Sequence, residues 1–407
     1  MLVVLIGTGS ITALLDSARP SPLLLSIRPS PAPFNPPSST ASPTTSASPT
    51  PTPAPTATPT PAPIACSNLT QLATWTDSRL AMLTIAVPVS ESAPGAALPE
   101  VQAGAGGLLL FGSSAPSNLG AQLASVETQV PGQIGLLVMT DEEGGGIQRM
   151  ANLAGSLPWP AWMGANWSPA QIQNAVAAVA HNMLANGVNM DLAPVIDVDG
   201  SNVPPSGSNA DGWRSFSGNT AVVSRDGVAF MNGLKSSGVI PVMKHFPGLG
   251  GSSGNTDVVL AHTLPWSTLQ QVAIPPFAAA INAGAPAIMV SNAAVPGLTN
   301  LPASLSPAVM HELEVLQFHG LIMTDSLSAV AISAAGYSMP AAAVQAIKAG
   351  ADMVMFGLPA TTSETFSQTF AMRSAIVAAV ADGSLARSRL LDADAAVLAS
   401  RSVNLCG

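Results

Sequence analysis

Residues 320–357 read GLIMTDSLSAVAISAAGYSMPAAAVQAIKAGADMVMFG. Two short apolar runs, GLIMT (320–324) and DMVMFG (352–357), flank an Ala-rich stretch, MPAAAVQAIKAG (339–350), which closes on Gly350 as a helix stop does. Neither run alternates apolar with polar residues, so neither reads as a strand of a one-sided antiparallel sheet. Both read as strands covered on two faces, with a helix between them.

The same unit recurs toward the N-terminus. Further runs are LTIAV (83–87), GLLLF (107–111), GLLVMT (135–140), VNMDLAPV (188–195), VIPVMKH (239–245) and AIMVS (287–291), which brings the total to eight. Helical patterns ending in Gly separate several of them, as in SPAQIQNAVAAVAHNMLANG (168–187) and TAVVSRDGVAFMNGLKSSG (220–238). Eight strands alternating with helices outline an α/β fold of the (β/α)8 barrel type. An open, doubly wound sheet is the main alternative, because strand counting from one sequence is error-prone.

Composition limits what such a domain does. Only 9% of the 407 residues are charged, 47% are hydrophobic, and the formal net charge is -9. An electrostatic nucleic-acid footprint is not expected from an acidic chain with three lysines, Lys235, Lys244 and Lys348. No run of about 20 apolar residues follows the first few positions, so a membrane-embedded domain is not expected either.

The Pro residues crowd into the start of the chain, where residues 1–65 hold 15 of 37. Residues 20–65, with text such as SPTTSASPTPTPAPTATPTPAP, have no means of burying a core and favour extended chain, so a disordered Pro/Ser/Thr-rich spacer is expected. Ahead of it, MLVVLIGTGSITALL has the apolar character of an export signal without the usual basic start, and residues 1–19 are expected to be a signal or signal-anchor remnant. Export to the cell surface or beyond follows, with a membrane tether through the N-terminus as one form of it. Residues 66–407 form the remaining domain, bracketed by Cys66 and Cys406. Two cysteines do not make a structural zinc site, and a disulfide closing the domain suits an oxidising compartment. Two free buried thiols are the alternative.

In a (β/α)8 barrel the chemistry sits at the C-terminal ends of the strands. Those positions hold Asp141, Glu142 and Glu143 after the third strand, Asp191 and Asp197 on and after the fourth, Lys244 and His245 on the fifth, Asn292 after the sixth and Asp325 after the seventh. Any one of these is an ordinary solvated group in many proteins; their accumulation at one rim of a charge-poor chain points to a site. No GxxxxGK[ST] or HExxH string is present, and the five histidines show no metal spacing. Gly250–Gly254 matches G-x-S-x-G, but Phe246-Pro247-Gly248 separates it from its strand, unlike a nucleophile elbow. Paired carboxylates with Lys, His and Arg fit sugar chemistry better, since glycosidases need two acidic groups and hydroxyls need several polar partners. Trp159, Trp162, Trp167 and Trp213 are candidates for stacking on sugar or for ordinary burial, and the 16 Met read as core filler.

Lys244–Gly248, in VMKHFPGLG, resembles the signature of glycoside hydrolase family 3, in particular its single-domain bacterial β-N-acetylglucosaminidases. TDEEGGGIQRM (140–150), NMDLAPVIDV (189–198), WRSFSGN (213–219) and GLIMTDSLSAVAI (320–332) resemble further segments of that family in the same order. The resemblance implies that Asp325 is the nucleophile of a two-step retaining mechanism. It implies that Asp141, Arg214, Lys244 and His245 grip the terminal sugar and that Asp191 and Asp197 support them. It implies a carbohydrate substrate and no metal or organic cofactor; a monomer is expected. Terminal β-linked N-acetylglucosamine, as in cell-wall fragments, is the expected target. The rival readings are a catalytically silent sugar-binding barrel and a β-glucosidase of the same family.

Two positions depart from the pattern. Leu249 replaces a His in the signature, and the following loop, GGSSGNTDVVLAHT (250–263), lacks the family's Asp-x-His acid/base pair. Asp257 and His262 together are the expected substitute, with a purely structural loop as the alternative. Gly146 stands where the family often has Arg.

Overall fold

The computed structural model describes residues 66–406; the expected leader (1–19) and spacer (20–65) lie outside the described residues. Each of the eight apolar runs contributes one strand: β1 (Ile85–Ser90), β2 (Gly107–Phe111), β3 (Leu137–Thr140), β4 (Met190–Asp191), β5 (Ile240–Phe246), β6 (Ala287–Val290), β7 (Leu321–Ser326) and β8 (Met353–Met355). All pair in parallel in chain order, and β8 pairs back onto β1, so the sheet is a closed barrel rather than an open one.

A helix follows every strand: α1 (Leu98–Gln102), α2 (Leu119–Glu127), α3 (Pro169–Ala185), α4 (Thr220–Ser236), α5 (Ile274–Asn282), α6 (Pro307–Val315), α7 (Met339–Ala349) and α8 (Thr362–Ala381). The local chemistry marks their ends. Ser168 and Gln171 form a capping box on α3, and Asn219 and Ser338 cap α4 and α7 with side-chain oxygens. Gly187, Gly238 and Gly350, each just beyond its helix, adopt φ of 82°, 86° and 134°, which residues with a Cβ avoid. Fourteen methionines are buried and fill the core between barrel and helices.

Two features of the barrel shape the site. β4 is short because Pro194 has no N–H to give the ladder, and its course resumes as a single bridge between Val195 and Lys244. β5 is the longest strand, and its last residues carry Lys244 and His245 over the barrel's C-terminal mouth.

The ends of the domain are fastened to each other. Cys66 and Cys406 form a disulfide with Cα atoms 5.9 Å apart. Asn68 donates to the Val403 carbonyl at 2.8 Å and accepts from the Leu405 N–H at 2.8 Å. Arg387, at the start of α9 (Arg387–Ser400), holds Asp77 at 2.7 Å across a half-exposed surface, a contact that contributes little by itself. The covalent link closes a loop of 340 residues and restricts the unfolded chain accordingly. Replacing both cysteines by Ser is expected to lower stability by about 2–5 kcal/mol, read as a lower midpoint in thermal or urea unfolding. The wild type in reductant should fall by the same amount; an unchanged midpoint in either case would contradict this role.

Candidate active site

The turn after β3 builds one wall of the site. Glu142–Gly144 and Ile147–Gln148 pair as a small antiparallel hairpin. Its tip is glycine because nothing larger fits: Gly145 has φ of 59°, and a Cβ on it would collide with the Trp159 ring. A Cβ on Gly146 would come within 2.9 Å of the same ring. Trp159 therefore packs where a side chain at 146 would begin. The hairpin turns the chain back so that the Arg149 N–H donates to the Asp141 carbonyl at 3.2 Å.

The charges then interlock. The Lys244 ammonium, with 3% of its side chain exposed, contacts Asp141 Oδ1 at 3.0 Å and Glu143 Oε1 at 2.6 Å. Arg214 grips Glu143 with two N–H groups at 2.8 Å each and donates a third to the Ala210 carbonyl at 2.9 Å. Arg149 reaches Asp141 Oδ2 at 3.4 Å. Burial by itself would raise both carboxyls. Arg214 and Lys244 reverse this for Glu143 and hold it well below the usual carboxylate range, while Lys244 and Arg149 do the same more mildly for Asp141. Burial would likewise discharge Lys244, but Asp141 and Glu143 push its pKa above the ordinary value.

Asp197 organises the turn after β5. It accepts the His245 and Leu249 backbone N–H groups and lies 2.7 Å from His245 Nδ1. Burial, reinforced by the Arg214 guanidinium, lowers the His245 pKa to about 4, so the ring is neutral at ordinary pH. A neutral ring that donates from Nδ1 to Asp197 leaves Nε2 as an acceptor, and Arg214 Nη2 faces it at 3.4 Å. Burial also raises Asp197 to about 6 and Asp211, whose oxygens have no partner, still further. Asp197, Asp211 and His245 place ligand-type atoms within 4.8 Å of one another, as a metal site would. Here Arg214 already supplies the cation beside them. Asp191 sits deeper and accepts the Glu142 N–H at 2.9 Å, so it props the hairpin from below.

These groups open on a cavity of about 510 Å³ at the C-terminal mouth, the usual size for a small-ligand site. Asp141, Arg149, Arg214, Lys244, His245, Asp257 and Asp325 all line it. Asp325 ends β7. The neighbouring Ser326 is fixed by its own N–H, which donates to Asp325 Oδ1 at 2.7 Å, and by its carbonyl, which accepts from Asn292 at 2.7 Å. Burial raises the Asp325 pKa and Asp257 adds to the rise, while the Ser326 N–H and Lys244 oppose it.

The structure thus brings Asp257 to Asp325 but leaves His262 outside the cavity lining. The His262 ring is exposed, with Nδ1 3.2 Å from the Thr263 carbonyl. Trp159, Trp162, Trp167 and Trp213 do not line the cavity either; Trp159 and Trp213 pack on each other at 6.0 Å, and Trp162 and Trp167 at 5.6 Å. Two lining residues, Glu143 and Arg149, had no role assigned from the sequence. Their signal lay in EEGGGIQR (142–149), whose central glycines allow a hairpin that returns residue 149 to residue 141.

A closed parallel barrel with paired carboxylates and basic residues at its C-terminal mouth is the architecture of a carbohydrate-processing barrel. The chain belongs to glycosyl hydrolase family 3: the profile of that family's N-terminal domain matches residues 98–399. A β-hexosaminidase of Xylella fastidiosa is 31% identical over 271 residues, covering 63% of this chain and 78% of that one. The β-hexosaminidase LpqI of Mycobacterium tuberculosis is 31% identical over 233 residues, covering 55% of this chain and 59% of its own length. Among solved structures, M. tuberculosis LpqI superposes with a TM-score of 0.73 at 27% identity, covering 82% of this chain and 96% of that one. A β-N-acetylhexosaminidase from Beutenbergia cavernae gives 0.71 at 30% identity, covering 80% and 98%.

The ion cluster makes a direct prediction. Lys244→Ala leaves Asp141 and Glu143 facing each other in a buried site, so a loss of about 3–5 kcal/mol of stability is expected in urea unfolding. A loss below 1 kcal/mol would mean that the cluster is not held together by this charge.

Proposed function

We propose that the chain is an exported retaining glycosidase that removes terminal β-linked N-acetylglucosamine, with cell-wall fragments as its source. One observation carries the reading: in a cavity whose other acids are ion-paired, two carboxyls, Asp325 and Asp257, face the space where a sugar would lie. The choice of N-acetylglucosamine is supported by the names of the relatives. Export is supported by the disulfide, since such bonds persist in oxidising compartments. In this reading residues 66–407 are the catalytic domain and residues 1–65 its leader and spacer.

The chemistry follows from the groups in place. Asp325, ionised, attacks the anomeric carbon and forms a covalent glycosyl-enzyme, which water then releases. Lys244 and Arg149 donate to sugar hydroxyls, and Asp141 accepts from them. Arg214 has spent most of its five N–H groups on Glu143, Ala210 and His245, so its main task is to hold Glu143 and the His245 ring. Hydroxyl contacts of this kind strengthen as positive charge develops on the ring, and that differential binding is what lowers the barrier.

The protein is expected to turn over an aryl β-N-acetylglucosaminide and to discriminate strongly against the aryl β-glucoside. A 5-fluoro N-acetylglucosaminyl donor should leave its sugar on the peptide that contains Asp325, as seen by mass spectrometry. Asp325→Ala should lower kcat by roughly 10³-fold or more and abolish that label. A label on another residue, or preference for the glucoside, would contradict the proposal.

A further inference from the structure

We infer that Asp257 is by itself the acid/base of this site, with no imidazole partner; the inference rests on the glycosidase reading above. The loop that carries Asp257 is docked, and its anchors place the residue. Asn255 donates its N–H to the Gly207 carbonyl at 3.1 Å, which ties the loop to the segment after β4. Ala331 and Val330 donate to the Thr256 and Asp257 carbonyls at 3.0 and 3.3 Å, which ties it to the segment that leaves β7. Asp325 is the penultimate residue of that strand, so the two backbone bonds set Asp257 beside the nucleophile's own loop. The Asn255 side chain adds a local brace by accepting the Asp257 N–H at 2.9 Å.

The carboxyl of Asp257 differs from the other acids around it. Asp141 and Glu143 are held by Lys244, Arg149 and Arg214, and Asp197 is held by His245 and backbone N–H groups. Among the described residues, no side chain or backbone group bonds the Asp257 carboxyl. One side of it is open to solvent and the other is walled by the cavity, where burial raises its pKa; Arg214 and Lys244 act against the rise and Asp141 with it. Burial raises the neighbouring Asp325 as well, and Asp257 adds to that rise. Of the two, Asp325 has a hydrogen-bond donor for its anion, the Ser326 N–H, and Lys244 also favours its charged form. Among the described residues Asp257 has no such donor, which suits it to carry the proton.

The His262 ring lies outside the cavity lining, and the His245 ring is engaged at both nitrogens. His262 is pinned at the base of the loop: its N–H donates to Ser253 Oγ at 3.0 Å, and its backbone bridges to Ala294. His245 is neutral and shared between Asp197 and Arg214.

Both half-reactions then balance through one carboxyl. As an Asp325 oxygen bonds to the anomeric carbon and the glycosidic C–O bond breaks, Asp257 gives its proton to the departing oxygen, which leaves as a neutral alcohol. In the second step the Asp257 carboxylate takes a proton from water, the water oxygen bonds to the anomeric carbon, and the bond to Asp325 breaks. Asp325 returns as carboxylate and Asp257 as acid.

The test compares Asp257→Ala, Asp257→Asn and His262→Ala in the full-length protein, on an aryl and on an alkyl β-N-acetylglucosaminide. An aryl leaving group needs little protonation, whereas an alkyl one needs it fully. The Asp257 variants should lose about 10²–10⁴-fold in kcat/KM on the alkyl substrate and far less on the aryl one. Azide, a nucleophile that needs no general base, should restore aryl turnover and yield the β-glycosyl azide. The fall in wild-type activity as pH rises through the Asp257 titration should vanish in Asp257→Ala. His262→Ala should match wild type in every respect. A substrate-dependent loss with azide rescue in His262→Ala would overturn the inference, as would equal losses on both substrates without rescue in the Asp257 variants. A wild type inert toward every aryl β-glycoside would overturn the glycosidase reading and this inference with it, a result distinct from either.

Discussion

The mouth of this barrel depends on one buried ammonium. Lys244 lies between Asp141 and Glu143, and through Glu143 it is coupled to Arg214, which in turn presses on His245. Each of these ions would be costly to bury alone, and each is ionised because the next one is. The pieces come from separate parts of the chain: the hairpin after β3, the loop after β4 and the tip of β5. Their charges match only when the barrel has closed, so the site and the fold are specified together.

Charge balance also suits the chemistry proposed. The mouth holds three cations, Arg149, Arg214 and Lys244, against Asp141 and Glu143, which they keep ionised, and Asp197, Asp211, Asp257 and Asp325, whose pKa values burial raises. A neutral sugar enters such a site without a large electrostatic cost, and a ring that gains positive charge is favoured there. The residual negative charge is best placed on Asp325, where the developing cation would sit.

Much of this was legible in the sequence, for physical reasons. Parallel strands covered on both faces must be apolar throughout, so runs such as GLLLF and AIMVS stood out, and all eight became barrel strands. In a charge-poor chain the ions at strand ends were conspicuous, which singled out Asp141, Lys244, His245 and Asp325. Glu143 and Arg149 were less visible because their place depends on a hairpin whose glycines fit under Trp159, a tertiary contact. The loop after β5 was the least legible. Asp257 and His262 are five residues apart and equally plausible as text. Backbone bonds to Gly207, Val330 and Ala331 are what send one into the cavity, while the bridge to Ala294 keeps the other out.

In the proposed mechanism two carboxyls at one barrel mouth divide the work of a double displacement, one as nucleophile and one as acid/base. Proton NMR of the first sugar released from an aryl β-N-acetylglucosaminide, recorded before mutarotation, reads this directly. The β-anomer is expected. Initial release of the α-anomer would mean a single displacement by water and would contradict the role given to Asp325.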